Sequence, residues 1–247
     1  MTTLIVSDLH SNHQALLAVL RHVQRKGWDE ILCLGDFVGY GAEPNQVLNL
    51  MRTIPARRIY IRGNHDRVVA GVEDGEAFNF AARSAALWTR GRLSAANREF
   101  IRGLVIGPVL ARDGLALCHG SPSDEDEYLF SEYDALRIFR RHSDRLIFFG
   151  HTHFPTIFEL DEKGEISAEI VRSPRTLKLN PKHRYLINPG SVGQPRDRNP
   201  RASFAILDGA RSSLRFFRLA YDIGAAQRAI LRAGLPRILA DRLSVGT

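Results

Sequence analysis

Short apolar runs and amphipathic stretches alternate from the start of the chain. Residues 4–6 (Leu-Ile-Val) read as a buried strand. Leu16, Leu17, Val19, Leu20 and Val23 follow at the spacing of one buried helix face, and Ser11 with Gln14 fits a capping box ahead of them. Residues 31–34 predict a second strand. Pro44 predicts the start of a second helix, reaching about Arg52, because a first-turn N–H has no helical partner to lose. A third strand is expected at 59–61. This strand–helix–strand order predicts a parallel sheet covered on both faces.

Further on, about 76–102 predicts two helices broken near Ser94. Residues 105–110 and 115–118 flank ARDG, a hairpin signal, and a second hairpin is expected for 156–160 and 166–171 around DEKG. A short helix at 134–141, strands at 146–149, 185–187, 204–207 and 214–219, and a helical end from Ile223 complete the pattern. The second half is therefore expected to form a second, mixed sheet. With no repeat and no long linker, residues 1–247 are expected to form a single domain.

The composition fits this picture: 247 residues, 44% hydrophobic and 25% charged, exclude wholesale disorder. No apolar run reaches the roughly 20 residues of a membrane span, so no membrane partner is expected. MTTLIVSDLH has no signal-peptide pattern. Cys33 and Cys118 sit in apolar runs and make no disulfide framework. A cytoplasmic location is the expectation. Net charge is +7. Residues 172–247 hold 15 Lys+Arg and 4 Asp+Glu, so the last third carries +11 and the rest −4. That surface suits a phosphate-bearing partner, although 30 of the 34 basic residues are Arg, which also describes an Arg-rich solvated surface. The acidic block at 123–127 is expected to be a solvated loop.

The chemistry is concentrated where strands end. SDLH supplies Asp8 and His10, GD supplies Asp36, and GNHD supplies Asn64, His65 and Asp66. CHGS supplies His119, and LIFFGHTH ends in His151 and His153. Ligand sites gather at the carboxyl ends of strands in open α/β sheets. Every one of these side chains offers a lone pair. The mixed nitrogen and oxygen set suits Mn, Fe, Zn, Co or Ni better than Ca, and the lack of Cys argues against structural zinc. Seven donors (Asp8, His10, Asp36, Asn64, His119, His151 and His153) exceed the need of one tetrahedral ion. They match two, with Asp36 able to bridge through its two oxygens.

The series SDLH, GD, GNHD, HG, GHTH, in this order, resembles the calcineurin-like metallophosphoesterase superfamily. CLGDFVGYGAEPN and NPGSVGQPRD extend the resemblance toward its small single-domain bacterial and archaeal phosphodiesterases, over nearly the whole chain. Ser11 departs from the glycine common at that place. The resemblance implies a four-layer α/β sandwich, two mixed sheets flanked by helices, with a dinuclear metal site at the strand carboxyl ends. It implies one metal on Asp8, His10, Asp36 and His153, and a second on Asp36, Asn64, His119 and His151. It also places His65 near the leaving group as general acid, with Asp66 beside it.

The function expected is metal-dependent phosphoester hydrolysis, of diesters more than monoesters, with two divalent ions per chain and Mn the first to test. A divalent ion lowers the pKa of a bound water and so supplies the nucleophile near neutral pH. Arg196 and Arg198 are candidate phosphate contacts, since guanidinium matches phosphate bidentately, and Asn12 is a third candidate. Three alternatives compete. They are a phosphomonoesterase, nucleotide or protein phosphatase of the same fold, a non-catalytic metal-binding scaffold, and a nucleic-acid-cleaving enzyme. The last is not favoured, because no aromatic stacking platform or basic run is evident.

Overall fold

The structure is a computed structural model, and it describes residues 1–247 except Lys26, Asp113 and Ser173. In chain order the elements are β1 (Thr2–Val6), α1 (His13–Gln24), β2 (Glu30–Cys33), α2 (Pro44–Thr53), β3 (Arg57–Tyr60), α3 (Asn64–Val69), α4 (Phe80–Arg92), α5 (Ala95–Arg102), β4 (Val109–Arg112) and β5 (Leu115–Leu117). Then follow α6 (Glu132–Arg141), β6 (Leu146–Phe148), β7 (Thr156–Leu160), β8 (Ile166–Ile170), β9 (Arg175–Lys178), β10 (Arg184–Asn188), β11 (Ala202–Asp208), β12 (Ser213–Leu219), α7 (Ile223–Arg232) and α8 (Ile238–Val245).

Two six-stranded sheets stack. One has the order β3-β2-β1-β11-β12-β9 and the other β4-β5-β6-β10-β7-β8. Both are mixed. In the first, β1, β2 and β3 run parallel, as their spacing predicts, and β11 is antiparallel to β1. In the second, β5, β6 and β10 are parallel, and β4, β7 and β8 are antiparallel to their neighbours. Because side chains alternate across a strand, β1 serves two cores. Ile5 faces the layer between the sheets with Leu32, Leu117, Phe148 and Tyr185. Leu4 and Val6 pack outward with Leu16, Val19 and Val47 of α1 and α2. Helix α6 covers the outer face of the second sheet through Ala135, Ile138 and Phe139. Helices α4, α7 and α8 join in a further cluster around Ala85, Ile230 and Leu239. The expected four-layer α/β sandwich is the fold observed.

Four expectations need correction. First, the second half does not keep to its own sheet. Strands β11, β12 and β9 return to extend the first sheet, because β11 pairs along the free edge of β1 from Thr2↔Asp208 to Ile5↔Ala205. Second, no Ser11–Gln14 box caps α1. Asn12 is the cap, its Oδ1 accepting from Ala15 N at 3.1 Å, while Ser11 sits in left-handed backbone with its N–H bonded to Phe37 O. Third, GNHD does not only end a strand; it opens the short helix α3, capped by Gly63. Fourth, α4 starts at Phe80 rather than near 76. Both hairpins form, although Asp113 in the first turn lies outside the described residues. Strand β9 has no counterpart in the pattern, since only Leu177 of its four residues is buried.

Candidate metal centre

The site lies where the ends of β1, β2, β3, β5 and β6 converge. The loops after β1 and β2 lie side by side. His10 N donates to Asp36 O at 2.9 Å and Ser11 N to Phe37 O at 3.0 Å. Close approach demands glycine at two neighbouring points. A Cβ on Gly63 would lie 2.2 Å from Asp36 Oδ1, and one on Gly150 would lie 2.1 Å from Ser7 Oγ. Five donor residues adopt left-handed backbone: Asp8, His10, Asp36, His151 and His153 have φ of 53°, 45°, 54°, 65° and 62°. Such values are uncommon for residues other than glycine, though Asp and His tolerate them best.

All seven sequence-predicted donors come together, and all are buried. Asp8, His10, Asp36 and His153 present donor atoms that all lie within 4.8 Å of one another, enough to hold a metal ion. Beside them, His119 Nε2 is 3.2 Å from Asn64 Oδ1 and 3.4 Å from Asp36 Oδ2. The same Asp36 Oδ2 is 3.6 Å from His10 Nε2. Asp36 therefore faces both groups through one oxygen, because Oδ1 accepts the His65 N–H at 2.9 Å. His151 closes the second group, its ring 5.0 Å from that of His119.

Main-chain carbonyls fix the histidine tautomers. The Nδ1 atoms of His10, His119 and His153 lie 3.1, 2.7 and 2.5 Å from Val38 O, Leu34 O and Gln194 O. A carbonyl only accepts, so each Nδ1 carries a hydrogen and each Nε2 is free to bind a cation. His151 is reversed: its Nε2 donates to Asp126 O at 3.1 Å, leaving Nδ1 for the site.

The donor set fits cations. His10 and His153 oppose their Nε2 atoms at 3.1 Å. With both Nδ1 atoms protonated, two lone pairs face each other, an arrangement that a cation relieves. Asp8 Oδ2 is buried without a hydrogen-bond partner. Burial holds His10 and His153 well below the usual imidazole range and His151 at about 3, so all three stay neutral. Burial also pushes Asp8 up to about 7, with Asp36 adding to the rise against the pull of His119. His119 is the exception. Burial would lower it, but the Asp36 carboxylate raises it to about 10. In the ion-free chain a proton between His119 and Asp36 does the electrostatic work of a cation.

Comparison with known proteins agrees with the geometry. Residues 1–212 match the calcineurin-like phosphoesterase superfamily domain. The chain belongs to that superfamily. It is 37% identical over 246 residues to the uncharacterized protein MJ0912 of Methanocaldococcus jannaschii, covering 98% of this chain and 97% of that one. The metallophosphoesterase from Sphaerobacter thermophilus superposes with a TM-score of 0.88 at 36% identity, covering 100% of this chain and 99% of the other. The hypothetical protein PH1004 from Pyrococcus horikoshii shares the fold, with a TM-score of 0.80 at 18% identity, covering 100% of this chain and 98% of the other. Calcineurin-like phosphoesterases use dinuclear divalent metal sites.

Around this phosphoesterase centre the remaining candidates divide. His65 and Arg196 line a cavity of about 120 Å³ together with Asp36, Asn64, His151 and His153. The Arg196 Nη2 donates to Tyr40 Oη at 3.2 Å and Gln194 Oε1 at 3.1 Å. Arg198 does not reach the cavity, and its N–H is bonded to Gly246 O. Asn12 is also spent elsewhere. Besides capping α1, its Nδ2 donates to Gly193 O at 2.8 Å and Tyr221 Oη at 3.2 Å. Asp66 does not orient the His65 ring; its oxygens accept from Val38 N at 3.2 Å and Gly63 N at 3.1 Å, pinning the loops together. Burial holds His65 at about 4, so it is neutral at pH 7.

The acidic block is more than a solvated loop. Glu125 pairs with Arg62 at 2.8 Å and Arg67 at 3.1 Å, and Asp126 pairs with Arg67 at 2.7 Å. Arg67 belongs to α3, so the pair ties the helix bearing Asn64 and His65 to the loop whose carbonyl orients His151. Sequence reading also passes over three aromatic rings. Tyr40 packs 4.4 Å from His65, Phe78 4.5 Å from His65, and Tyr128 4.0 Å from His151. Tyr40 stands in GDFVGYG, four residues past Asp36, which is a usable signal. Phe78 and Tyr128 lie in irregular segments with no periodicity to mark them.

Proposed function

We propose that this protein is a metal-dependent phosphodiesterase. The observation that carries the reading is Asp36 Oδ2, set between the Nε2 atoms of His10 and His119 at the floor of a cavity that Arg196 also lines. On this reading Asp8, His10, Asp36 and His153 hold one divalent ion, and Asp36, Asn64, His119 and His151 hold the other. Two such ions activate a water and stabilise charge on the phosphoryl oxygens. Manganese is the first to test, given the mixed nitrogen and oxygen donors.

The chain's own groups supply the rest. The tautomers fixed at Val38, Leu34, Asp126 and Gln194 leave the donor nitrogens in place before substrate arrives. The Arg196 guanidinium faces the phosphate and neutralises part of its charge. His65 Nδ1 is buried without a partner, which leaves Nε2 to meet the substrate. Because burial keeps the ring neutral at rest, His65 serves the leaving oxygen as a hydrogen-bond donor, and the anionic substrate favours its protonated form. Diesters are preferred on this reading because a second, larger cavity of about 630 Å³ shares Asn64, Phe78, Tyr128 and His151 with the first and gives room for a second ester group.

The test is hydrolysis of bis(4-nitrophenyl) phosphate and of 4-nitrophenyl phosphate by protein loaded with Mn²⁺. Faster turnover of the diester is expected. Absence of turnover of either ester, with metal demonstrably bound, would overturn the enzymatic reading.

A further inference from the structure

The larger cavity has a chemistry of its own. It lies between the segment 73–78 and the loop carrying Asp126 and Tyr128, and it meets the reaction cavity at Asn64, Ala77, Phe78, Tyr128 and His151. Two aromatic rings line both cavities. Tyr128 sits over His151, and Phe78 sits beside His65. Tyr128 is 48% exposed although it abuts a buried donor residue, so it offers open ring area next to the reacting centre.

The charges on the walls point the same way. Glu73, Asp74, Glu76 and Asp126 line the cavity, and Arg67 is the one basic residue among its lining. Arg67 is already paired with Glu73, Glu125 and Asp126. Asp74 is met from outside by Arg90 at 3.3 Å, and Glu76 forms no ion pair among the described residues. The cavity therefore adds negative potential beside a centre whose cations attract anions. A second phosphate or a carboxylate placed there is repelled, while a flat ring is favoured by stacking and by burial of apolar area.

Building on the phosphoesterase reading, we infer that this cavity binds one ester group of the substrate, an aromatic group without negative charge, against Tyr128 and Phe78. The substrate class is then a monophosphate diester of an aryl or nucleoside-like alcohol, and polyphosphates and nucleic-acid strands are excluded from this side.

The test is calorimetric binding of methylphosphonate, phenylphosphonate and 4-carboxyphenylphosphonate to the full chain loaded with Mn²⁺. Each carries one substituent, so the order of affinities reports on the cavity alone. Phenylphosphonate is expected to bind about tenfold more tightly than methylphosphonate, and the added carboxylate is expected to cancel about threefold or more of that gain. In Tyr128→Ala the phenyl advantage should fall toward unity, and in Glu76→Lys the penalty on the carboxylate should fall. Thermal melting of both variants checks that they are folded, and Phe78→Leu offers a second probe if Tyr128→Ala is not. Equal affinity for the methyl and phenyl ligands, or a phenyl advantage that survives Tyr128→Ala, overturns the inference. Diester turnover without a phenyl preference sinks this assignment and leaves the enzymatic reading standing. A phenyl preference without turnover does the reverse.

Discussion

The two halves of the metal centre are built differently. Asp8, His10, Asp36 and His153 are 0–2% exposed. Their imidazoles are aligned by Val38 and Gln194, carbonyls of tight loops next to the sheets. The other half, Asn64, His119 and His151, lies against open cavities. There His151 takes its orientation from Asp126, in a surface loop secured by the ion pairs of Glu125 and Asp126 with Arg62 and Arg67. The first half is part of the core, and the second depends on a clasp. Ion pairs in partial exposure contribute little stability each, so the clasp acts through position rather than through folding energy.

Asp36 is the one member common to both halves, so its loss is expected to have the largest effect. Asp36→Ala should lower bound metal at both places and reduce diester turnover by about a thousandfold or more, in keeping with the several kcal/mol that metal activation supplies. Metal analysis and turnover measured together check this, and retention of both ions would break the symmetry between the halves. Next comes the clasp. Glu125→Ala should weaken metal at the His151 side by about 10-fold to 100-fold, the usual cost of losing an outer partner of a metal ligand. Sequential titration with Mn²⁺ should show one site unaffected and one weakened. Equal weakening of both would mean that the clasp serves the whole fold.

Proton competition sharpens the comparison further. In the ion-free chain Asp8 titrates at about 7 and His119 at about 10. Cation binding must displace both protons below about 7 and only that of His119 between 7 and 10. Total Mn²⁺ affinity should therefore rise by about two decades per pH unit below neutrality and about one above it. Asp8→Asn should flatten the lower limb to the slope of the upper. Stability of the ion-free chain follows the same signs. Asp8 is raised, so its contribution is full in acid and lost as pH climbs toward 7. His65 and His151 are lowered to about 4 and 3, so theirs are full above the ordinary imidazole value and lost as pH falls through those values. The smallest effect is expected at Asn12. Asn12→Ala should cost about 1–2 kcal/mol of unfolding free energy through loss of the cap, with KM unchanged, and a raised KM would return it to the substrate.

The donors were legible because each follows an apolar run and none is explained by burial. The pattern Leu146 to His153 carries strand, turn and paired imidazoles in eight residues. What separates His151 from His153 was not legible, since it lies in which carbonyl each ring meets, and Asp126 and Gln194 are distant in sequence. Strands were legible, but their neighbours were not. Nothing in 202–208 shows that it will pair with β1 rather than with the sheet that precedes it. Charge patterning misled at 123–127, where a run that looks solvated places Glu125 between two arginines. It was also silent on Asn12 and Arg198, whose roles are settled by partners such as Tyr221 and Gly246.

The left-handed backbone at Asp8, His10, Asp36, His151 and His153 has a practical corollary. Each such residue costs on the order of 1 kcal/mol relative to glycine, which adopts this conformation freely. Laboratory evolution that rewards heat resistance alone, with chelator present, would find its easiest gains by writing glycine at these five positions. It would deliver a hardier protein with no chemistry left, so any stability screen on this scaffold needs a metal-dependent readout running beside it.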